Sequence, residues 1–394
     1  MFVLEKHGVD PSVVQYEPPR DPLSRIKRAL RRESLRRSLK SYSRTAPAGM
    51  SFFTDDRTVY GADPWKHLPE SDVLQLHWIS LFVDYESFFG SVPAGKPLVW
   101  TMHGMEAITG GCHYAYGCEK FMRECGACPQ LGSRSSKDLT ARVWRRKRDS
   151  YQKLWPGQLH IVCPSRWLQG EVKRSSLLSH AECTHIPYGL DTEVFAPRDR
   201  RYARESLGIP YDSRVVLFVA DGVEDPRKGL HLLGEAISGL GSSFFLLSVG
   251  SGSPRELAGG PHLHIPQVQH DGILSCIYSA ADVFVVPSLQ DNLPNTILES
   301  LACGVPVAGF EVGGVPDAVR PGVTGLLAKA GDVSGLRNII LELLQSEEKR
   351  AEMSANCRKV ALQEYSLEAQ ARRYANLYRE LICKSPSGRA MQRQ

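Results

Sequence analysis

Asp291-Asn-Leu-Pro-Asn-Thr-Ile-Leu-Glu299 places two carboxylates eight residues apart, across a predicted turn from strand to helix. The apolar run at 283–287, directly upstream, is typical of a buried parallel strand. Pro294 stands where a helix tolerates proline, in its first turn. Gly304 is placed to end that helix, and residues 305–310 form the next apolar run. The stretch therefore predicts a β–α–β unit.

The turn inside this unit is well placed to meet an anionic ligand. In open α/β sheets ligands bind beyond the carboxyl ends of the strands, and a helix N-terminus favours negative charge. Asp291 would lie at the edge of such a ligand. Asn295 and Glu299 are spaced i, i+4 and therefore share a helix face. These positions suit a ligand with a diphosphate at the helix start and hydroxyl groups on either side.

Length and composition indicate a globular protein of two domains. The chain has 394 residues, with 42% hydrophobic and 23% charged residues and a formal net charge of +5. No run reaches the roughly 18 apolar residues that span a bilayer, and no apolar stretch follows a basic start as in a signal peptide. Ten cysteines without a signal sequence predict reduced thiols or metal ligands rather than disulfides. We expect a cytoplasmic protein.

Strand-like runs alternate with helix-like segments, which predicts doubly wound parallel sheets. The predicted strands lie at 73–77, 97–102, 160–163, 215–219, 244–249, 283–287 and 305–310. Residues 142–153 are predicted to form a basic helix, and another helix opens at 164. The expected domains are 1–190, a connector at 191–212, a second α/β domain at 213–365, and a C-terminal helix and tail at 366–394.

Residues 25–44 hold nine Lys and Arg residues, with apolar residues at roughly helical spacing. This pattern predicts a basic amphipathic helix. Three partners are open for it: the protein's own core, an anionic lipid surface, or nucleic acid. Basic amphipathic helices lie on anionic membranes, so peripheral attachment at the inner membrane face is one expectation. Nucleic acid is not an expected partner, because no aromatic-rich binding module accompanies the charge.

Four cysteines cluster in a loop at 109–131: Cys112, Cys118, Cys125 and Cys128. Four thiolates within such a short segment could hold a tetrahedral zinc ion. The spacings are not those of a standard zinc finger, so reduced thiols and disulfides stay open as alternatives. A closed four-cysteine site would brace the loop beside His103 and leave no coordination position for catalysis.

A set of short motifs lies in the second half of the chain. They are Pro287-Ser288, the Asp291/Glu299 pair, Glu299-Ser-Leu-Ala-Cys-Gly-Val-Pro-Val307, Gly313-Gly-Val-Pro-Asp317 and Gly322-Val-Thr-Gly-Leu-Leu327. The set resembles the family 4 glycosyltransferases, which are retaining enzymes that use nucleotide-sugar donors. The family's fold is GT-B, two Rossmann-like domains with a cleft between them. The likeness covers roughly residues 95–365, and Thr109-Gly-Gly-Cys-His-Tyr114 resembles a bacterial polysaccharide-synthesis branch.

The resemblance implies a role for each matching residue. Lys228, with Arg227, would meet the negative charge on the departing diphosphate, and His103 would hydrogen-bond near the donor sugar. Asp291, where the family has Glu, would hold the sugar hydroxyls, and Glu299 would accept bonds from the ribose. The remaining donor-binding residues would be Asn292, Leu293, Pro294, Asn295 and Thr296 around the phosphates, with Gly250 and Gln267 near the base.

The implied reaction moves a sugar from a UDP- or GDP-sugar to a growing glycan or lipid-linked saccharide, with retention. No Asp-x-Asp motif is present, so no catalytic metal or other catalytic cofactor is expected. The alternatives are a non-catalytic sugar-nucleotide-binding relative and a nucleotide-sugar epimerase of the same fold. Family members open with a strand and a glycine-rich loop. Residues 1–8 resemble the second strand region instead, so the first strand and that loop are expected to be missing.

Overall fold

The computed structural model describes residues 2–13, 16–47, 53–62, 70–238, 244–254 and 260–384. The chain forms two compact units, one of Met1–Ile186 with Arg372–Gln394 and one of Pro187–Ala371. The predicted boundary at 190 falls just after this division. The last residues, predicted to be a separate helix and tail, group with the first unit. The helix that crosses position 371 runs without a break.

The first unit is built on a parallel four-stranded sheet in the order β1-β2-β3-β4. The strands are β1 (Leu74–Leu76), β2 (Leu98–Thr101), β3 (Leu159–Cys163) and β4 (Glu182–His185). The helices are α1 (Phe2–Glu5), α2 (Pro22–Lys40), α3 (Tyr85–Phe89), α4 (Leu139–Tyr151) and α5 (Arg166–Arg174). Aromatic side chains of α3 and α4 pack edge-on against Trp100 of β2 and form much of the core.

The second unit has a parallel six-stranded sheet in the order β10-β9-β8-β5-β6-β7. Its strands are β5 (Val215–Gly222), β6 (Phe245–Ser251), β7 (His262–Ile265), β8 (Val283–Val286), β9 (Val307–Phe310) and β10 (Gly325–Ala328). The helices are α6 (Arg200–Ser206), α7 (Leu230–Ile237), α8 (Asp271–Ala280), α9 (Asn295–Ala302), α10 (Val315–Ala318), α11 (Val333–Gln345), α12 (Glu347–Glu364) and α13 (Leu367–Lys384), which crosses into the first unit. Counted from β5, the order is that of a dinucleotide-binding sheet, so the strand order reverses between β5 and β8, which is the switch point of the sheet.

The seven apolar runs predicted as strands between residues 73 and 310 are all present, but the sequence patterns do not predict β4, β7 or β10. Each of these three lies at an edge of its sheet. An edge strand has one open side and carries few fully buried residues, so its apolar signal is weak. Glu182–His185 and His262–Ile265 show this directly, because none of their residues is fully buried.

The prediction of a strand at residues 1–8 is wrong, because Phe2–Glu5 forms a helical turn. The backbone N–H groups of His7 and Gly8 donate to the carbonyls of Leu4 and Glu5, which closes the turn locally. Leu4 packs against the cluster that contains Val99 and Tyr374. A strand would have needed a free sheet edge beside it instead.

The predicted basic helix is confirmed as α2, Pro22–Lys40. Asp21 caps its start by accepting a hydrogen bond from the Ser24 N–H at 2.9 Å. No residue of α2 is buried, so the helix does not pack its apolar side into a core. The segment after it is anchored, because the Tyr42 hydroxyl accepts the Leu139 N–H at 3.0 Å. Among the described helices, none has the length and apolar character to cross a bilayer.

Candidate active site

The predicted site residues of the second unit meet where β5 and β8 end. The loop after β5 turns at Gly229, whose φ is +75°, a conformation that favours glycine. A side chain at Gly229 would collide with the Pro287 carbonyl. The Leu289 N–H donates to the Arg227 carbonyl at 2.8 Å and ties the two loops together. The switch point of the sheet therefore fixes Arg227 and Lys228 beside the loop that follows β8.

Asp291 is the centre of a charged cluster. Its Oδ2 atom accepts hydrogen bonds from Lys228 Nζ at 2.6 Å and from Arg227 Nη1 at 3.1 Å. Arg227 also bonds to Asp225 Oδ2 at 3.2 Å and to the Gln290 carbonyl at 3.1 Å. Asp291 is only 6% exposed, so this carboxylate needs its cationic partners. The sequence motifs did not point to Asp225, which holds Arg227 in place.

The glycine pair at 313–314 explains how Asp291 is held. Gly313 has a φ of +51° and lies so close to the Asp291 carbonyl that no side chain fits. The Gly314 N–H donates to the same carbonyl at 3.2 Å. The Asn292 N–H donates to Asp291 Oδ1 at 3.1 Å. The glycines of the motif at 313–317 thus hold the backbone of Asp291 in position.

Helix α9 begins next to this cluster. Pro294 is its N-cap residue and offers no side-chain acceptor for the first N–H groups. Asn292, Leu293 and Pro294 are buried, whereas Asn295 is exposed and Thr296 is half-buried. The start of α9 therefore has the form expected of an anion-binding helix end, with lysine and arginine close by.

Glu299 lies one turn further along α9 and is held by a buried tyrosine. The Tyr278 hydroxyl donates to Glu299 Oε2 at 2.8 Å, and its ring packs edge-on against Phe284 of β8. Burial raises the pKa of Glu299 to about 7, and Asp271 adds to this rise while the Tyr278 hydrogen bond opposes it. Glu299 therefore changes charge near neutral pH. No sequence spacing singles out Tyr278, which belongs to a different helix.

Gly250 and Gln267, predicted near the base, both approach the end of β5. Gly250 has a φ of +144° and lies against the Ala220 carbonyl, where a side chain would collide. Gln267 Nε2 donates to Asp221 Oδ1 at 3.4 Å. The structure therefore places these two residues at neighbouring positions on one margin of the second-unit site.

His103 belongs to the first unit, whereas the other predicted catalytic residues belong to the second. It follows β2, and its Nε2 atom lies 3.3 Å from Nδ1 of His77. Burial lowers the pKa of His103 to about 4, and His77 adds to the effect. The imidazole is therefore neutral at pH 7, and it can donate and accept hydrogen bonds.

The four clustered cysteines, Cys112, Cys118, Cys125 and Cys128, line one cavity of about 20 Å³ in the first unit. All are free thiols, so the disulfide alternative is not seen. The Gly110 N–H donates to Cys125 Sγ at 3.1 Å. Burial raises the pKa of Cys112 and of Cys125 to about 12. Within the described ranges, no three His, Cys, Asp or Glu side chains are arranged to hold a metal ion.

Comparison with known proteins finds relatives of the second unit among glycosyltransferases. Residues 213–346 match the family described as "Glycosyl transferases group 1". The D-inositol 3-phosphate glycosyltransferases of Mycobacterium tuberculosis and Mycobacterium bovis are 35% identical over 169 residues, 40% of this chain and 35% of theirs. The chain thus spans about a third of the length of these curated relatives.

Solved structures extend the likeness in fold. Sucrose-phosphate synthase from Thermosynechococcus elongatus has a TM-score of 0.57 and 24% identity, over 73% of this chain and 68% of that one. Anabaena Alr3699/HepE, solved in complex with UDP, has a TM-score of 0.57 and 16% identity, over 78% and 79%. Together with the two parallel-sheet units, these likenesses confirm the predicted GT-B fold of Rossmann-like domains.

Proposed function

We propose that this protein is a retaining glycosyltransferase. It moves a sugar from a nucleotide-diphosphate donor to a growing glycan or lipid-linked saccharide. The observation that carries the proposal is the Lys228–Asp291–Arg227 cluster, which stands at the switch point of the second sheet and beside the start of α9. The match of residues 213–346 to glycosyl transferases group 1 supports it. Structures of Anabaena Alr3699/HepE with UDP and with UDP-glucose favour a uridine donor over a guanosine one.

The donor's diphosphate would bind at the start of α9, where Lys228 and Arg227 supply positive charge. Lys228 would then exchange its bond to Asp291 for one to phosphate, which frees Asp291 to accept hydrogen bonds from the sugar hydroxyls. Glu299 would accept bonds from the ribose, and Gly250 with Gln267 would border the base. His103, as a neutral imidazole, would hydrogen-bond near the donor sugar.

Retention follows if attack and departure share one face of the sugar. The acceptor oxygen forms its bond to the anomeric carbon while the bond from that carbon to the diphosphate oxygen breaks. The acceptor's proton passes to the departing phosphate. Negative charge grows on the diphosphate during this step, and Lys228, Arg227 and the α9 N-terminus would stabilise it. These groups supply the charge stabilisation without a catalytic metal.

The test is turnover of a defined donor by the purified full chain. UDP-glucose and GDP-mannose are each incubated with the protein and a methyl glycoside as acceptor. Release of UDP or GDP is measured together with the anomeric configuration of the new glycoside, by NMR. Nucleotide release with a retained anomeric configuration is expected for one donor. A non-catalytic relative would bind the donor without releasing nucleotide. An epimerase would convert it into a second nucleotide sugar, again without release.

We also propose that the four-cysteine loop binds a structural zinc ion. All four cysteines line one small cavity, and backbone N–H groups already hydrogen-bond to the sulfur atoms of Cys125 and Cys128, as around metal-bound thiolates. Because the thiols are not yet in a ligating arrangement, binding would have to draw them together. The ion would brace the loop that follows His103 and would take no part in the reaction.

Purified protein is expected to carry about one zinc ion per chain, and its removal is expected to lower the melting temperature. The double variant Cys125→Ser, Cys128→Ser should lose the metal. Cys383→Ser, which changes an exposed cysteine on α13, should keep it. Elemental analysis and thermal unfolding measure both effects. Metal-free protein with an unchanged melting temperature would contradict the proposal.

Helix α2 is proposed to attach the protein to an anionic membrane surface. Its apolar residues Leu23, Ile26 and Leu30 are exposed, and they lie on one side of a helix rich in lysine and arginine. An unburied apolar stripe flanked by cations suits the boundary between lipid headgroups and acyl chains. The inner face of a cell membrane, where a lipid-linked acceptor would be met, offers that chemistry.

The full chain is expected to bind vesicles of phosphatidylglycerol and phosphatidylcholine, with affinity that falls as salt screens the charges. Lys27→Gln with Arg32→Gln removes two exposed cations from α2. At about 1 kcal/mol for each cation, affinity should fall roughly 30-fold. Arg134→Gln with Lys137→Gln removes two exposed cations outside α2 and should have little effect. Vesicle co-sedimentation measures this, and equal binding to neutral vesicles would count against the proposal.

A further inference from the structure

The loop between β1 and α3, residues 77–84, presents two large apolar side chains to solvent. Trp78 is 53% exposed and Leu81 is 71% exposed. Leu81 also has a φ of +66°, a left-handed conformation that disfavours residues with a branched side chain. Backbone strain of this kind tends to cluster at binding sites and active sites. The loop is therefore held in an unfavourable conformation that displays apolar surface.

The indole of Trp78 is fixed in place by the ring beneath it. It stacks on His113, with ring centroids 5.0 Å apart and an angle of 27° between the planes. His113 is only 4% exposed, and its Nε2 atom lies 2.6 Å from the Thr54 hydroxyl. Its Nδ1 atom lies 3.5 Å from Glu106 Oε2, which is also buried. The Trp78 side chain is thus exposed to solvent and is held in place by stacking on the buried His113 ring.

Two imidazoles lie next to this supported indole. His77 precedes Trp78 at the end of β1, and its ring meets His103 at the end of β2. Gly104, which follows His103, packs closely against the residues beneath Trp78. A Cβ atom at Gly104 would lie 3.0 Å from Glu106 Oε2 and 3.2 Å from the His113 carbonyl. All these residues follow the carboxyl ends of adjacent parallel strands, which is the edge where open α/β sheets bind ligands.

The charges nearby do not favour a phosphate or another anion. Glu106 is an acid, and the buried Lys147 ammonium already donates to the carbonyls of Glu106 and Thr109. What the site offers is one flat apolar surface with neutral hydrogen-bonding groups beside it. A pyranose ring has the matching chemistry, because one of its faces carries C–H groups and its rim carries hydroxyls.

We propose that Trp78 is a stacking platform for a pyranose ring, with the neighbouring imidazole of His77 bonding to one of its hydroxyls. That this sugar belongs to the acceptor rests on the proposed transferase function. The stacking site itself does not depend on it. Leu81 would extend the apolar surface toward the next part of the same ligand.

The test uses saturation-transfer NMR on the full chain with methyl glycosides of glucose, mannose, galactose and N-acetylglucosamine as probes. At least one probe is expected to receive saturation, strongest at the ring protons of its apolar face. Trp78→Ala should weaken that probe's binding at least about fivefold, as expected for the loss of one aromatic contact. Trp78→Phe should retain most of it. Trp155→Ala removes another exposed tryptophan, 64% exposed between α4 and β3, and should leave binding unchanged.

Three results would contradict the proposal that Trp78 binds a sugar. In the first, no probe receives saturation; in the second, Trp155→Ala reduces probe binding as much as Trp78→Ala does. In the third, uridine displaces the probe and binds at Trp78 more tightly. UDP affinity is measured on the same samples, so that an effect on saccharide binding at Trp78 can be distinguished from an effect on the proposed donor site. If donor turnover fails while saccharide binding depends on Trp78, the transferase proposal falls and the platform stands. If turnover occurs without any Trp78-dependent saccharide contact, the platform falls alone.

Discussion

Replacing Lys228 by alanine is expected to lower kcat for sugar transfer by about 100- to 1000-fold, the usual effect of removing one charge-stabilising donor. The KM for the donor should change far less. We expect this because, in the proposed reaction, the departing diphosphate would gain negative charge. The Lys228 ammonium would then interact more strongly with the transition state than with the bound donor. Initial rates over a range of donor concentrations separate the two parameters.

The surroundings of Lys228 make this variant interpretable. Its partner Asp291 keeps the bond from Arg227, so the buried carboxylate is not left without a cation. Lys349→Ala is a matched control, because Lys349 also pairs with a carboxylate, Glu342 at 3.1 Å, but on the surface of α11 and α12. It should leave kcat unchanged. A rise in KM at unchanged kcat for Lys228→Ala would show that the lysine only helps to bind the donor.

The fold of the second unit could be predicted because its central strands are short, fully buried apolar runs. Val283–Val286 and Val307–Phe310 show that signal in every residue. Glycines at tight turns and close contacts, such as Gly304 and Gly313, also leave a readable mark, since other residues would be strained there. The edge strands β4 and β7 leave no such mark, because none of their residues is fully buried. Hydrogen bonds within residues 1–8 form a helical turn there, which the strand pattern did not predict.

The site was only partly readable from the sequence. Asp291, Glu299 and Lys228 stand in motifs with a fixed spacing, so their roles could be proposed before the structure was known. That Lys228 and Arg227 share one buried carboxylate is a contact across 63 and 64 positions of the chain, which spacing does not reveal. The bond from Tyr278 to Glu299 joins α8 to α9 in the same way. The folded sheet brings these partners together.

We expect Glu299 to combine donor binding with a cost in stability, and Glu299→Gln should separate the two effects through their dependence on pH. Burial raises the pKa of this carboxyl from 4.5 to about 7. The fold therefore favours the protonated form, and this contribution to stability is present below pH 4.5 and lost as the pH rises through 7. At pH 8 the buried charge costs about 3 kcal/mol relative to a neutral side chain. Glutamine should remove that cost.

The variant is therefore expected to be more heat-stable than the parent at pH 8 and nearly equal to it at pH 4.5. Thermal unfolding at the two pH values measures this difference. Glu348→Gln, on the exposed surface of α12, serves as the control and should show no such dependence on pH. Equal melting temperatures of the parent and Glu299→Gln at pH 8 would show that Glu299 does not carry a destabilising buried charge at that pH.

The donor affinity of Glu299→Gln is expected to fall although its stability rises. In the proposed site, the ionised Glu299 would accept hydrogen bonds from the ribose at pH 8, and a bond to a charged group contributes roughly 1.5–3 kcal/mol. Glu299→Gln should therefore weaken donor binding by about 10- to 150-fold at pH 8, as measured by calorimetry. At pH 5 the parent is itself mostly protonated, so the gap should narrow. Higher stability together with weaker binding in one variant is the pattern of a binding residue, since the loss of binding then cannot come from a less stable fold. If binding at pH 8 is unchanged while stability rises, Glu299 is a buried acid that does not contact the donor.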